Sequence, residues 1–248
     1  MKKFGLIGHP IAHSLSPALF KAAYDGKYAY DLIVGEDFET SYRRFIEEYD
    51  AINVTAPFKE AAFAKADILS EECALTGATN LLVKTPDGIK AYNSDFLGVR
   101  MWLSEVTEDQ KGVKILIVGL GGAGKAAAAA AESLGMDVIR MNRTVRDSQT
   151  HPLDDFRKCF RKANIIIYNI PAAIPELKEL TDSDFNEDKP KLILEANYKD
   201  PSLRETMESF GSKAVYTGGE TWLLYQAMTG YKILTGEKPD LTKMSDVL

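Results

Sequence analysis

The sequence predicts two α/β domains, the second an open, doubly wound parallel sheet of Rossmann-like type. Three observations carry that reading. Strand-like and helix-like segments alternate along most of the chain, the rhythm of strand–helix–strand units. Lys114 to Val118 is a largely apolar run, the pattern of a strand buried on both faces of a parallel sheet. A glycine-rich turn and six consecutive alanines, Ala126 to Ala131, follow directly. Alanine is the best helix former, and its small side chain lets a helix pack closely on a sheet.

The elements follow in order. Phe4 to Ile7 reads as a strand, then Pro17 to Tyr24 as a helix, with Ser16 as N-cap and Pro17 at the first helical position. Tyr28 to Val34 is a strand, Phe38 to Glu48 a helix, Ala51 to Thr55 a strand and Ala61 to Leu69 a helix. Asn80 to Lys84 and Ile89 to Tyr92 flank Thr85-Pro86-Asp87-Gly88, a good hairpin turn. After Lys114 to Val118 and the alanine helix come a strand at Asp137 to Met141 and a helix at Asp154 to Arg161. Strands follow at Ile165 to Tyr168 and Leu192 to Glu195. Leu223, Leu224, Ala227, Met228, Tyr231 and Leu234 form the stripe of a last helix, Thr221 to Leu234. Thr221 is its expected N-cap, and Gly236 follows its end. The junction falls near Gly98 to Lys111. The expected domains are 1–98 and 99–218, with 219–248 packing back on the first.

Composition narrows the function. With 248 residues, 45% hydrophobic and 27% charged, the chain is globular rather than disordered or fibrous. A net charge of −6 argues against a nucleic-acid or anionic-membrane binder, which needs surplus Lys and Arg. It leaves room for a small anion in a locally basic pocket. Two distant cysteines, Cys73 and Cys159, imply no disulfide framework or zinc cluster, and His9, His13 and His151 lack metal-ligand spacing. No metal is expected. Met1-Lys2-Lys3 and the strand after it lack the features of a signal peptide, and no window approaches the ~20 apolar residues of a membrane span. A soluble, cytoplasmic protein is the expectation.

The turn after Val118 reads Gly119-Leu120-Gly121-Gly122-Ala123-Gly124, a G-x-G-x-x-G between a buried strand and a helix. Gly119 permits the tight turn and Gly121 lets backbone approach a pyrophosphate. The helix start offers free N–H groups and a positive dipole end. A Walker lysine is excluded, because Ala126 follows Lys125. An NAD site places Asp or Glu at the tip of the next strand. Here the tip is Met141-Asn142-Arg143-Thr144, with Arg146 beyond and no carboxylate. Arg143 suits a 2′-phosphate, and Asn142, Thr144 and Arg146 add donors. A solvated basic loop is the other reading; position favours NADP(H).

Four segments of the first domain carry polar residues where a scaffold has no need of them. In Gly8 to Pro17, Ser14 and Ser16 precede a helix, where two hydroxyls and helix N–H groups suit a carboxylate, although Ser16 alone reads as an ordinary N-cap. In Ile52 to Lys59, Asn53 and Thr55 share a strand face leading to Lys59, a reasonable acid–base group if buried and otherwise a solvated lysine. Gly77-Ala78-Thr79-Asn80 places an Asn at a strand start. Asn93-Ser94-Asp95 is either a polar cluster or a helix cap.

Together these segments resemble the shikimate dehydrogenase family across nearly the whole chain. The Gly8 to Pro17 segment resembles its first signature, serines included. N-V-T-x-P-F-K is present at Asn53 to Lys59, G-A-x-N at Gly77 to Asn80, N-[TS]-D-x-x-G at Asn93 to Gly98, and the N-R-T of NADP-binding members at Asn142 to Thr144. The resemblance implies reversible reduction of 3-dehydroshikimate to shikimate with NADPH, in aromatic biosynthesis. It implies Lys59 and Asp95 as the catalytic pair, Ser14 and Ser16 on the carboxylate, and Thr55, Asn80 and Asp95 on ring hydroxyls. Tyr198 and Gln226 look like its further substrate residues, and Gly218 and Gly219 like the glycines beside the nicotinamide. The cofactor half departs from the pattern. Asn169-Ile170-Pro171 stands for Asn-Ala-Thr, the following Gly-Met is missing, Ala196 to Pro201 is looser than Val-Tyr-x-Pro, and Gly124-Lys125 replaces Ala-Arg or Ser-Arg. A quinate or dual quinate/shikimate dehydrogenase is the alternative. A silent NADP-binding regulator is a third reading, against which intact Lys59 and Asp95 argue. The expected partner is a small-molecule substrate, with no nucleic acid or membrane, in a monomer or homodimer.

Overall fold

The computed structural model describes residues 2–248; Met1, which opens the segment read for a leader, lies outside the described residues. The chain divides into two compact units, Met1–Gly98 with Leu224–Leu248, and Val99–Leu223.

The first unit contains β1 (Lys3–Gly8), α1 (Ser16–Ala23), β2 (Ala29–Val34), α2 (Phe38–Glu48), β3 (Ala51–Val54) and α3 (Lys59–Ala64). β4 (Ile68–Leu69), α4 (Glu71–Thr76), β5 (Leu81–Thr85), β6 (Gly88–Tyr92) and the start of α5 (Ser94–Val106) follow. Its sheet runs β2-β1-β3-β5-β6-β4. β1, β2 and β3 are parallel, whereas β5 runs antiparallel to both β3 and β6. The antiparallel step is the expected hairpin, with Thr85 opposite Gly88 across Pro86-Asp87. α2 forms where Asp37 caps it by accepting from Thr40 N at 2.7 Å. Phe38 and Phe45 of α2 pack with Ile7, Ile33, Ile52 and Val54 from the sheet.

Three expected boundaries are corrected. Ser16 is not an N-cap: it is the first residue of α1, and its own N–H donates to Ser14 Oγ at 3.2 Å. The helix expected over Ala61 to Leu69 ends at Ala64, because Ile68 and Leu69 pair with Lys90 and Ala91 of β6. Tertiary pairing overrides a run too short to show a period. The last helix starts at Gly219, so Thr221 lies inside it.

The second unit holds the rest of α5, then β7 (Lys114–Val118), α6 (Gly122–Ser133), β8 (Asp137–Met141), β9 (Thr150–His151), α7 (Phe156–Lys162) and β10 (Ile165–Tyr168). β11 (Lys191–Glu195), α8 (Arg204–Glu208), β12 (Ala214–Thr217) and the start of α9 (Gly219–Thr235) complete it. The remainder of α9 and α10 (Leu241–Ser245) belong to the first unit. The second unit extends to Leu223, past the expected boundary at 218. The first turn of α9 lies against the chain after β11: a Cβ on Gly219 would stand 2.5 Å from Tyr198 N.

All neighbours in the order β12-β11-β10-β7-β8-β9 are parallel. This is the Rossmann order, which reverses between its first and fourth strands, here β7 and β10. β10 is wholly buried and β7 nearly so, and five of the six alanines in the run Ala126 to Ala131 of α6 are buried, as their composition requires. β4, α4, β9, α8, β12 and α10 escape periodicity because each has six residues or fewer.

Candidate active site

The residues singled out in the first unit gather at the ends of its strands. Lys59 opens α3, after the turn that follows β3, and Asp95 lies in the first turn of α5. Lys59 Nζ donates to Asp95 Oδ2 at 2.6 Å, with the two side chains 23% and 9% exposed. The Asp95 carboxylate is thus placed where the positive end of the α5 dipole favours an anion.

Asn93 sets that helix start. Its Oδ1 accepts from Phe96 N at 3.2 Å, and its Nδ2 donates to Thr76 Oγ1 and Ala78 O, both at 3.1 Å. The Asn-Ser-Asp cluster therefore caps α5 and sets Asp95 within reach of Lys59. Asn80, 4% exposed, exchanges two hydrogen bonds with Ser94: Nδ2 donates to Ser94 Oγ at 3.0 Å and Oδ1 accepts from Ser94 N at 2.7 Å. Ser94 Oγ donates in turn to Gln226 Oε1 at 3.1 Å. The last helix can come this close because a Cβ on Gly98 would stand 2.6 Å from Gln226 N. Each Asn80 amide group keeps unused capacity for a ligand hydroxyl.

Ser14 Oγ donates to Ser16 Oγ at 3.1 Å, so the two hydroxyls are adjacent. Behind them, Tyr231 Oη donates to Ser16 O at 3.1 Å and Tyr30 Oη to Asn53 Oδ1 at 2.8 Å. Burial holds both phenols above their usual range, so they remain neutral donors. Thr55, half-buried, follows β3 beside this group. Ser94 and Asn53 are the residues that reasoning on sequence left without a role. Ser94 is fully buried between two named residues, and its only sequence signal was its place inside Asn-Ser-Asp.

In the second unit the glycine turn sits at the switch point between β7 and β10. Gly119 has φ +87, and a Cβ on Gly124 would stand 1.8 Å from Gly119 O, so α6 begins hard against the turn. A Cβ on Gly121 would meet nothing within 4 Å, leaving open space beside the turn. Gly122 and Ala123 open α6, and their N–H groups lie among the orphan donors of its first turn. Asn169 Oδ1, just past β10, is a buried acceptor with no protein partner. Leu120 N reaches Asn142 Oδ1 at 3.4 Å, which ties the turn to the tip of β8, where Arg143, Thr144 and Arg146 are exposed. An open, glycine-lined turn, a helix start and a basic strand tip fit a dinucleotide with a 2′-phosphate. Tyr198 is half-buried after β11, and burial raises its phenol above the usual range. No helix among the described residues is long and apolar enough to cross a membrane, and none of their His, Cys, Asp and Glu side chains form a metal-binding group.

Comparison with known proteins gives the following matches. Residues 6–82 match the family model of the shikimate dehydrogenase substrate binding domain. Residues 88–194 match that of the D-isomer specific 2-hydroxyacid dehydrogenase NAD binding domain. The chain is 30% identical to the shikimate dehydrogenase (NADP(+)) of Thermotoga maritima, over 93% of this chain and 92% of the relative. It is 31% identical to the enzyme of that name from Staphylococcus aureus, over 98% and 96%. Among solved structures it is similar to the shikimate 5-dehydrogenase of Thermus thermophilus in complex with NADP(H) and shikimate. There the TM-score is 0.81 at 26% identity, covering 100% of this chain and 98% of the other.

Proposed function

The chain belongs to the shikimate dehydrogenase family, and from that premise we propose that it is an NADP-dependent oxidoreductase interconverting 3-dehydroshikimate and shikimate in aromatic biosynthesis. The observation that carries the reading to residues is the Lys59–Asp95 pair, beside the Asn80–Ser94–Gln226 chain of hydrogen bonds. When bound, NADPH supplies the hydride and NADP accepts it, which leaves one proton for the protein to manage. Lys59 Nζ gives that proton to the carbonyl oxygen in reduction and takes it from the hydroxyl in oxidation. Asp95, 2.6 Å away, holds the amine in place and accepts from a ring hydroxyl. Thr55, Asn80 and Gln226 fix the other hydroxyls, Tyr198 is a further substrate contact, and the Ser14–Ser16 pair donates to the carboxylate. Gly119, Gly121, Gly122, Ala123, Gly124 and Gly219 provide backbone to the dinucleotide, and Asn142, Arg143, Thr144 and Arg146 take its 2′-phosphate. We place the protein in the cytoplasm, as a monomer or homodimer.

The deciding experiment is a 340 nm assay with shikimate and quinate, each with NADP and NAD. Shikimate with NADP is the expected best pair; faster turnover of quinate moves the reading to the quinate enzymes. Two variants resolve the parts. Arg143→Ala is expected to raise the NADP Michaelis constant and leave NAD use nearly unchanged. Losing one charge-assisted pair costs about 1.5–3 kcal/mol, or roughly 10- to 150-fold. Equal efficiency of the parent enzyme with both cofactors refutes the 2′-phosphate assignment. Replacing Ser14 and Ser16 together by Ala is expected to raise the shikimate dissociation constant at least about 10-fold. NADPH binding should be untouched. Turnover of an analogue lacking the carboxylate at the parental rate would show that the serines have another role.

A further inference from the structure

Glu195 ends β11, after Lys191 and the apolar run Leu192 to Leu194, and is completely buried. A carboxylate survives in such a place only when donors saturate it. Here four converge. Ser202 N and Ser202 Oγ donate to Oε1 at 2.6 and 3.0 Å. Leu203 N and Tyr216 Oη donate to Oε2 at 3.2 and 2.6 Å. Burial and the adjacent carboxylate hold the Tyr216 phenol far above its usual range, so it stays a donor. The Arg204 guanidinium lies 5.5 Å from the centre of the Tyr216 ring and 3.8 Å from Glu220 of α9.

These contacts close the loop from Ala196 to Ser202 into a fixed shape. Its first N–H, on Ala196, donates to Tyr168 O at 2.9 Å, and its last is held by Glu195. Inside it, Asn197 Nδ2 donates to Asp200 O at 2.6 Å. On the side facing α9 there is no slack, since a Cβ on Gly219 would lie 2.5 Å from Tyr198 N and 2.6 Å from Asn197 C. Tyr198 therefore sits on a loop clamped by one buried carboxylate at its base and by a helix start along its flank.

We infer that Glu195 is a positioning residue for the reaction: it acts through the loop backbone to set where Tyr198 stands, without itself touching substrate. The inference rests on the reading above that Tyr198 contacts the substrate. Glu195→Gln keeps the shape but turns one acceptor into a donor facing donors, so at least one of the four bonds is lost. The expected result is a fall of about 10- to 100-fold in kcat/KM for shikimate, the scale of a modest misplacement of a contact group. The NADP dissociation constant, titrated directly, should stay at the parental value. Glu195→Asp, with both acceptor oxygens on a shorter stem, should recover part of the loss. In a Tyr198→Phe background the Glu195→Gln penalty should shrink, because both changes act on the same contact. Hydrogen exchange at the amides of 197–200 reads the loop without turnover and should accelerate in Glu195→Gln.

Parental exchange in that variant, or an undiminished penalty in the Tyr198→Phe background, overturns the inference. So does a loss of NADP affinity matching the loss of kcat/KM, which would mark a general fold-holding role. If Glu195→Gln does not fold, Tyr216→Phe removes a single donor and must show the same pattern at smaller size; parental kinetics there also overturn it. A Tyr198→Phe variant with parental kinetics refutes the reading of Tyr198 instead. A fall in Tyr198→Phe with none in Glu195→Gln refutes the role of Glu195 alone.

Discussion

Lys59→Ala is expected to lower turnover by about 10²-fold or more, the usual scale for an acid–base group, with a smaller effect on shikimate affinity. The geometry gives the reason. The Lys59 amine is held 2.6 Å from Asp95 in a partly buried pair, so it is placed before substrate arrives. In the proposed mechanism alanine removes the group that carries the proton and leaves Asp95 to bind the ring. Lys59→Arg should rescue little, since guanidinium keeps its proton and its planar fork does not replace a compact amine. Steady-state kinetics with direct shikimate titration decide the matter. Turnover that survives while binding falls would make Lys59 a substrate anchor and return the proton to another group.

Gly124→Ala is the second large effect. Its methyl group would stand 1.8 Å from Gly119 O, a backbone atom of the turn that cannot swing aside. Overpacking of this kind costs at least about 1–3 kcal/mol. The melting temperature should fall, and NADP affinity should fall with it as the turn is displaced. Gly121→Ala separates the two consequences. Its methyl group meets no protein atom within 4 Å, so the fold is unaffected, yet it occupies the space a pyrophosphate would approach. The expected result is a parental melting temperature without ligand and a lost upward shift with NADP. If Gly121→Ala binds NADP as the parent does, the pyrophosphate lies elsewhere.

Much of the second unit was legible in the sequence, because its signals are local. The bounds of β7, β8 and β10 coincide with the strands expected there, and the glycine turn lies between β7 and α6 as its spacing required. Such features depend on residues within a few positions of one another, where period and backbone sterics act directly. The same holds for the hairpin at Thr85 to Gly88 and for α2.

What the sequence determined by itself was a set of residue types at telling spacings: two serines before a helix, a lysine after N-V-T, an Asn-Ser-Asp run, an arginine at a strand tip. Only the tertiary structure decided which of them meet. Lys59 and Asp95 are 36 positions apart, and Ser94 and Gln226 are 132 apart. Their contacts follow from the order β2-β1-β3-β5-β6-β4, which sets the strand ends side by side, and from the close approach of α9 at Gly98. Ser16 illustrates the difference: its place before Pro17 suggested a cap, yet the hydroxyl that receives the helix N–H belongs to Ser14. Glu195 illustrates it again, since a carboxylate at the end of Leu192-Ile193-Leu194 says nothing of the four donors that Ser202, Leu203 and Tyr216 of β12 bring to it. A local pattern constrains a residue's own backbone, whereas a buried polar group is defined by partners that arrive from elsewhere in the chain and must satisfy it because water cannot.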